Sequence, residues 1–419
     1  MKQLNILVIP GYKLFPVEGG GAHAQLPFLA KQQEQHFIDL LVTPQNIAPE
    51  YIDEFKIKYP NFRLIPVGYK KNSGIKKITV FLSKQFRKIS GRDYSYNLKK
   101  IKYFNGLIIK DASFIEHVQA ISFQKKYDII QIEHSINMGL VEILPADAVK
   151  IFVHHEIAHT RIFSDMLSLS YNEAYATYIS ATAQAMEISW LNKYNGVIVL
   201  CNEDRELLRQ KGVIAALQVA RPFALFDDEL VKQYNPQIFP QLVFAGHESH
   251  FPNKEGLTWF LREVYPLLKK IRDDIKLKIT GNWTEDFRTL FVADKNIQFT
   301  GFVDDFGSVL LNAIMIVPIR IGSGIRIKII TAFAKGAPVV STGLGASGIP
   351  GIIDGENIIL ADSAVSFAEG IIRLFDDSLL REKISNQSFH LAKSEYGNAL
   401  FVEERNSFYY ELTGSPKVD

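Results

Sequence analysis

Residues 314–340 read IMIVPIRIGSGIRIKIITAFAKGAPVV. The stretch opens on an apolar run at 314–317, passes through Gly322-Ser323-Gly324, continues as a helix with Arg326 and Lys328 in its first turn, and closes on a second apolar run at 338–340. Short apolar runs without polar alternation are strands covered on both faces, and a helix between two of them makes a parallel strand–helix–strand unit. Outward from this unit the pattern repeats. Runs at 241–244, 275–279 and 297–299 precede it, and 4–9, 37–42, 128–132, 149–153 and 196–200 form an earlier series; the pattern begins afresh after 218–222. The expected fold is α/β, with two doubly wound, Rossmann-like domains in series.

The chain has 419 residues, more than one hydrophobic core usually serves. We place a first domain at 1–220, a second at 221–395 and a terminal helical segment at 396–419. Hydrophobic residues make up 47% and charged residues 22%, the balance of a soluble globular enzyme rather than of a disordered or fibrous chain. The single cysteine, Cys201, excludes an intramolecular disulfide and a cysteine-based zinc site, which fits a reducing cytoplasm. It falls in an apolar run and reads as core. The N-terminal apolar run is cut short by Pro10 and Gly11, too early for a signal peptide, and no stretch is long enough to span a membrane. The expected location is the cytoplasm, with any membrane contact peripheral and on the inner face.

Four clusters have the residue types that chemistry needs. Gly19-Gly20-Gly21 precede a helix expected at about 23–35, where bare backbone and free N–H groups can meet a phosphate or sugar; a purely structural loop is the alternative. The glycines are contiguous, so they are not the dinucleotide-binding fingerprint. His154-His155-Glu156 follow the run at 149–153, and strand ends of open α/β sheets gather ligands. Neighbours on extended chain point to opposite sides, so one of the two histidines faces the cleft. No other His or Asp cluster has metal-ligand spacing. Arg326 and Lys328 stand at a helix N-terminus, where the dipole repels cations unless an anion binds between them. Gly246 ends the run at 241–244, with Asn253 and Lys254 beyond it, placed either to reach the same anion or, for Asn253, to cap the next helix.

Residues 70–110 carry twelve cations, Lys70, Lys71, Lys76, Lys77, Lys84, Arg87, Lys88, Arg92, Lys99, Lys100, Lys102 and Lys110, against Asp93 alone. Ile75, Ile78, Phe81, Leu82, Phe86 and Ile89 lie among them at helical spacing, which reads either as a helix resting on an anionic lipid surface or as a solvated basic helix packed on its own domain. Without a stacking array or a reader motif, nucleic acid is not an expected partner. Residues 401–412 read as a final amphipathic helix.

In this order the clusters resemble the retaining GT-B glycosyltransferases of the family 4 type. The likeness covers nearly the whole chain and is strongest over 242–375, where residues 296–349 are similar to the family's donor-binding half almost continuously. The resemblance implies transfer of a sugar from a nucleoside diphosphate sugar of the UDP or GDP type to a hydroxyl, with retention, without metal or cofactor. It puts Gly20 and Gly21 on the phosphate side of the cleft and His155 near the reacting carbon, with His154 as second choice. It puts Ser323, Gly324, Ile325, Arg326 and Lys328 around the diphosphate, Gly246, Asn253 and Lys254 nearby, and Gly301, Phe302 and Val303 beside the base. It also implies a terminal helix that crosses back to the first domain, and the basic segment 70–110 adds the expectation of a glycan or lipid-linked acceptor from cell-envelope or exopolysaccharide synthesis.

One position departs from the family. Thr331 replaces the glutamate that opens E-A-x-A-x-G-x-P-V-V, and a threonine cannot accept from two ribose hydroxyls as a carboxylate does. Ser323 holds the place of the other acid of the family's pair, which members with a Gly-Ser-Gly loop commonly lack. A non-catalytic sugar-nucleotide or carbohydrate-binding homologue is therefore the alternative. A nucleotide-sugar epimerase lacks an acid constellation here, and a nicotinamide oxidoreductase lacks its glycine fingerprint.

Overall fold

The computed structural model describes residues 2–17, 20–68, 110–220, 240–291, 294–303, 305–322, 324–396 and 398–415, with 232, 234, 235 and 238. Its first half contains β1 (Asn5–Ile9), α1 (Gly20–Gln32), β2 (Phe37–Val42), α2 (Ile52–Lys58), β3 (Arg63–Pro66), α3 (Ala112–Gln124), β4 (Ile129–Glu133), β5 (Val149–His154), α4 (Ala158–Ser168), α5 (Glu173–Leu191), β6 (Gly196–Val199), α6 (Asn202–Gln210) and β7 (Ala216–Val219). The strands pair in parallel in the order β3-β2-β1-β4-β5-β6-β7. β1 shows why the runs lack alternation. Ile6 and Val8 pack into one apolar layer and Leu7 and Ile9 into the opposite one, so every position is buried.

The second half repeats the plan with β8 (Gln241–Ala245), α7 (Phe251–Trp259), α8 (Tyr265–Ile271), β9 (Leu277–Thr280), α9 (Glu285–Thr289), β10 (Ile297–Gly301), α10 (Phe306–Leu310), β11 (Ala313–Val317), α11 (Ile327–Ala334), β12 (Val339–Ser341), α12 (Gly343–Ala346), β13 (Ile359–Leu360), α13 (Ala364–Asp376), α14 (Ser378–Tyr396) and α15 (Asn398–Thr413). The order β10-β9-β8-β11-β12-β13 is again parallel. In each sheet the strand order reverses between a central pair, β1/β4 and β8/β11, which opens a ligand crevice at their carboxyl ends.

The two carboxyl-end faces meet. Gly324, on the loop after β11, lies against His155 just past β5; a Cβ there would be 3.1 Å from the His155 carbonyl oxygen. α1 lies against α11, and Gly348 lies against Cys201. The last helix, α15, sits on the first sheet: Val402, Phe408, Tyr409 and Tyr410 share a core with Leu4, Ile6 and Phe28.

Some local expectations shift. α1 begins at Gly20, inside the glycine run and ahead of the expected start. Cys201 is the N-cap of α6 just beyond β6, buried as expected but outside the strand. Asn253 lies within α7 and does not cap it. The basic segment falls outside the described residues except for Lys110, which approaches the Phe114 ring at 5.4 Å.

Gly256 shows how closely α7 is drawn onto β11. A Cβ at this position would meet the Pro318 carbonyl oxygen at 2.3 Å, a backbone atom that cannot swing away. Gly256→Ala is expected to lower unfolding stability by about 3 kcal/mol. Chemical denaturation of the two proteins measures it, and a change below about 0.5 kcal/mol would mean that helix and strand separate freely.

Candidate functional site

On the first-sheet side, four residues converge from β1, β4, β5 and α1. Tyr12, just past β1, donates its hydroxyl hydrogen bond to Glu133 at the end of β4. Its ring meets the His155 imidazole edge-on at 5.1 Å, and Gly21 lies against its other flank, where a Cβ would come within 3.3 Å of the ring. His155 Nε2 is 3.5 Å from Glu133 Oε2, at the outer limit of hydrogen bonding, so the contact is chiefly electrostatic. Burial alone would raise the Glu133 carboxyl, but His155 and Tyr12 outweigh it and hold it below the usual carboxylate range. His134 enters the same corner with φ of 70°, a left-handed conformation uncommon outside glycine. Burial and then His155 push its imidazole down to about 3, so it stays neutral.

His154 takes the other side of the strand, as alternation requires. It is buried and bonds Glu187 Oε1 through Nε2 at 2.6 Å. His159 Nδ1 bonds the second carboxylate oxygen, also at 2.6 Å, and the Ala158 and His159 N–H groups at the start of α4 donate to the same carboxylate. Glu187 thereby clamps α4 to α5 and β5. The structure makes His154 part of this buried clamp and His155 the member of the pair at the cleft.

On the second-sheet side, Lys328 Nζ donates to the Ala245 carbonyl at the end of β8 and to Asn253 Oδ1 at 2.9 Å. Two of its three donors are used, and the ammonium lies 5.0 Å from the Phe244 ring centroid. Asn253 is itself held against Gly246, where a Cβ would come within 2.6 Å of its amide. Burial, then Arg326, lowers the Lys328 ammonium to about 7. Arg326, the N-cap of α11, donates to the Gly324 carbonyl, and burial lowers it too. His250 is pushed down to about 4 by burial, then by Lys328 and Arg326. Gly324 has φ of +79°, a conformation that favours glycine, and a Cβ there would sit tightly against the His155 carbonyl oxygen at 3.1 Å.

This arrangement suits an anion. Two half-buried cations stand at a helix N-terminus, Arg326 depressing Lys328, and Glu156 and Asp204 are the acids that offset Arg326. A diphosphate would relieve the repulsion and take the free amides. Among the described residues, no group of three or more His, Cys, Asp or Glu is placed to hold a metal ion. No described helix is long and apolar enough to cross a membrane.

Gly21, His155, Gly246, Asn253, Gly324, Arg326 and Lys328 are thus brought to the facing strand ends, and Gly20 opens α1 beside them. Ile325 lies against Gly348. Ser323 is outside the described residues. Lys254 turns away to Glu248 at 2.8 Å. Thr331 donates its hydroxyl to the Ile327 carbonyl at 3.1 Å, one turn back in its own helix. Gly301 has φ of +73° at the end of β10; Phe302 beyond it is exposed, and Val303 packs on Val243 and Val309. Tyr12, Glu133, Glu187 and His250 were missed from sequence, although Tyr12 and Glu133 follow the same strand-end rule that singled out His155.

Residues 239–377 match the family described as glycosyl transferases group 1. A stretch of 164 residues is 29% identical to an uncharacterized 44.6 kDa protein in the cps region of Klebsiella pneumoniae, covering 37% of this chain and 42% of that one. Among solved structures, sucrose-phosphate synthase from Thermosynechococcus elongatus aligns with a TM-score of 0.70 at 13% identity over 99% of this chain and 100% of its own. TarM aligns with a TM-score of 0.70 at 13% identity over 99% of each chain. Anabaena HepE, solved in complex with UDP-glucose, aligns at 0.65 and 12% identity over 98% of this chain and 100% of its own. The chain has the fold of the GT-B glycosyltransferases, and its second sheet lies within the segment that matches glycosyl transferases group 1.

Proposed function

We propose that the protein is a glycosyltransferase that moves a sugar from a nucleoside diphosphate sugar to a hydroxyl acceptor, with retention and without a metal ion, in the synthesis of a cell-envelope or exopolysaccharide glycan. The observation that carries it is the pairing of Arg326 and Lys328 at the start of α11, inside the segment matched by the family, with His155 of the first half across the Gly324 contact. As the glycosidic bond breaks, the leaving diphosphate gathers negative charge, and cations already held by Ala245, Asn253 and Gly324 stabilise it without reorganising. His155 then stands on the sugar side. The neighbour solved with UDP-glucose and the relative from a cps region support a UDP-type donor and a glycan acceptor. We expect the site in the cytoplasm, with the basic segment 70–110 offering an anionic membrane contact.

The orientation of Thr331 favours one rival, a sugar-nucleotide-binding homologue without turnover, because its hydroxyl is committed to the Ile327 carbonyl. Calorimetric titration with UDP, GDP, ADP and their sugar conjugates, followed by donor hydrolysis with EDTA present, separates the two. Micromolar affinity for one nucleotide with slow hydrolysis of its sugar conjugate is expected. Binding without hydrolysis selects the non-catalytic homologue, and no binding to any nucleotide overturns both.

A further inference from the structure

The first-sheet side of the site is wired to the last helix of the chain through side chains that are all buried. Tyr409 on α15 donates its hydroxyl hydrogen bond to Gln131 Oε1, and Gln131 Nε2 donates to Glu133 Oε1. Glu133 Oε2 accepts from Tyr12 and faces His155 Nε2 at 3.5 Å. Gln131 and Glu133 are fully buried, and they point to the same side of β4 because they stand two residues apart. A carboxylate in such a place needs a compensating charge. α15 supplies one in Arg405, 2% exposed, bonded to Gln25 at 2.9 Å and stacked 3.8 Å from the Phe28 ring centroid.

His155 Nε2 is enclosed and makes no hydrogen bond, and Glu133 is the acid it faces, at 3.5 Å. Of the two ring nitrogens, the one facing a carboxylate carries the proton, so the arrangement favours the Nε2–H tautomer and leaves Nδ1 as the acceptor. A contact that is loose without ligand tightens when substrate closes the site.

We propose that Glu133 is the positioning residue for His155, selecting its tautomer and ring orientation, and that α15 acts on the site through Tyr409 and Gln131. This rests on the reading of the cleft as a glycosyltransferase site, but only for its consequence in turnover. The tautomer is a property of the unliganded protein.

The experiment compares native protein, Glu133→Gln and Tyr409→Phe, uniformly labelled with nitrogen-15 at histidine, His155→Asn serving to assign its signals. In native protein His155 is expected as the Nε2–H tautomer. In Glu133→Gln that preference is lost, kcat falls about 100-fold and the Kd for the nucleoside diphosphate stays within about twofold, because the cations at α11 are untouched. Tyr409→Phe, the milder variant, moves the histidine signals in the same direction and lowers kcat about tenfold. Backbone amide spectra report whether each variant is folded. Unchanged His155 signals in a folded Glu133→Gln protein overturn the proposal, as does a loss confined to nucleotide affinity. Absence of turnover in native protein overturns the glycosyltransferase reading instead and leaves the tautomer result standing on its own.

Discussion

Replacing Arg326 and Lys328 together by alanine is expected to weaken nucleoside diphosphate binding roughly a thousandfold and to abolish transfer. Each cation can give a charge-assisted hydrogen bond worth about 1.5 to 3 kcal/mol, and about 4 kcal/mol in sum is the thousandfold loss. The protein should still fold, because both side chains are half-buried and neither belongs to an apolar core cluster, and burial already disfavours the charge of each. A separate signature comes from Lys328. Its ammonium is lowered to about 7 without ligand, and an anion bound against it favours the charged form. Binding above pH 7 therefore requires protonation, and Kd should rise toward tenfold per pH unit there in native protein. Lys328→Met should flatten that dependence. Calorimetry at pH 6, 7, 8 and 9 decides it: equal affinity in native protein and the double variant would remove the diphosphate from this place.

What sequence shows of this molecule depends on how far apart the interacting residues are. The central strands β1, β8 and β11 are nearly continuous apolar runs because both their faces are covered, β4 carries only Gln131 and Glu133 among its isoleucines, and each was placed within a residue or two. The strands that were missed are β3, β7 and β13. They lie at sheet edges: in β3 and β7 Arg63, Ala216 and their neighbours are partly or fully exposed, and β13 is only two residues long. The same division holds in the site. Gly324, Arg326 and Lys328 sit in one stretch, and their chemistry contradicts their position at a helix N-terminus, which is visible without a structure. Glu133 is a single acid in an apolar run, and its partners Tyr12, His155 and Gln131 come from three elements. For His154 and His155, alternation says only that they part; the preference for His155 came from the resemblance, and the positions of Glu187 and Gly324 supply the physical reason.

Glu187→Ala is expected to lower unfolding stability by about 3 to 5 kcal/mol, the largest effect of any single substitution proposed for the first sheet. The carboxylate is buried and accepts from His154, from His159 and from two N–H groups at the start of α4, so truncation leaves four buried donors without an acceptor. α4 has no side-chain cap of its own, and Glu187, reaching over from α5, does that work. Burial alone would raise the Glu187 carboxyl, but the two histidines outweigh it and hold it well below the usual range. A depressed carboxyl contributes stability that is complete above its unfolded value and is lost as pH falls through the folded one. The native protein should therefore lose more stability than Glu187→Gln between pH 5 and pH 3. Urea denaturation at pH 7, 5 and 3 measures both effects. Because His154 and His155 are consecutive on β5, the consequence reaches the site: with the clamp gone, His155 loses the fixed strand end that brings it to Glu133. A Glu187→Ala protein as stable as the native one at pH 7 would show that the clamp is filled by water and that β5 is held by sheet pairing alone.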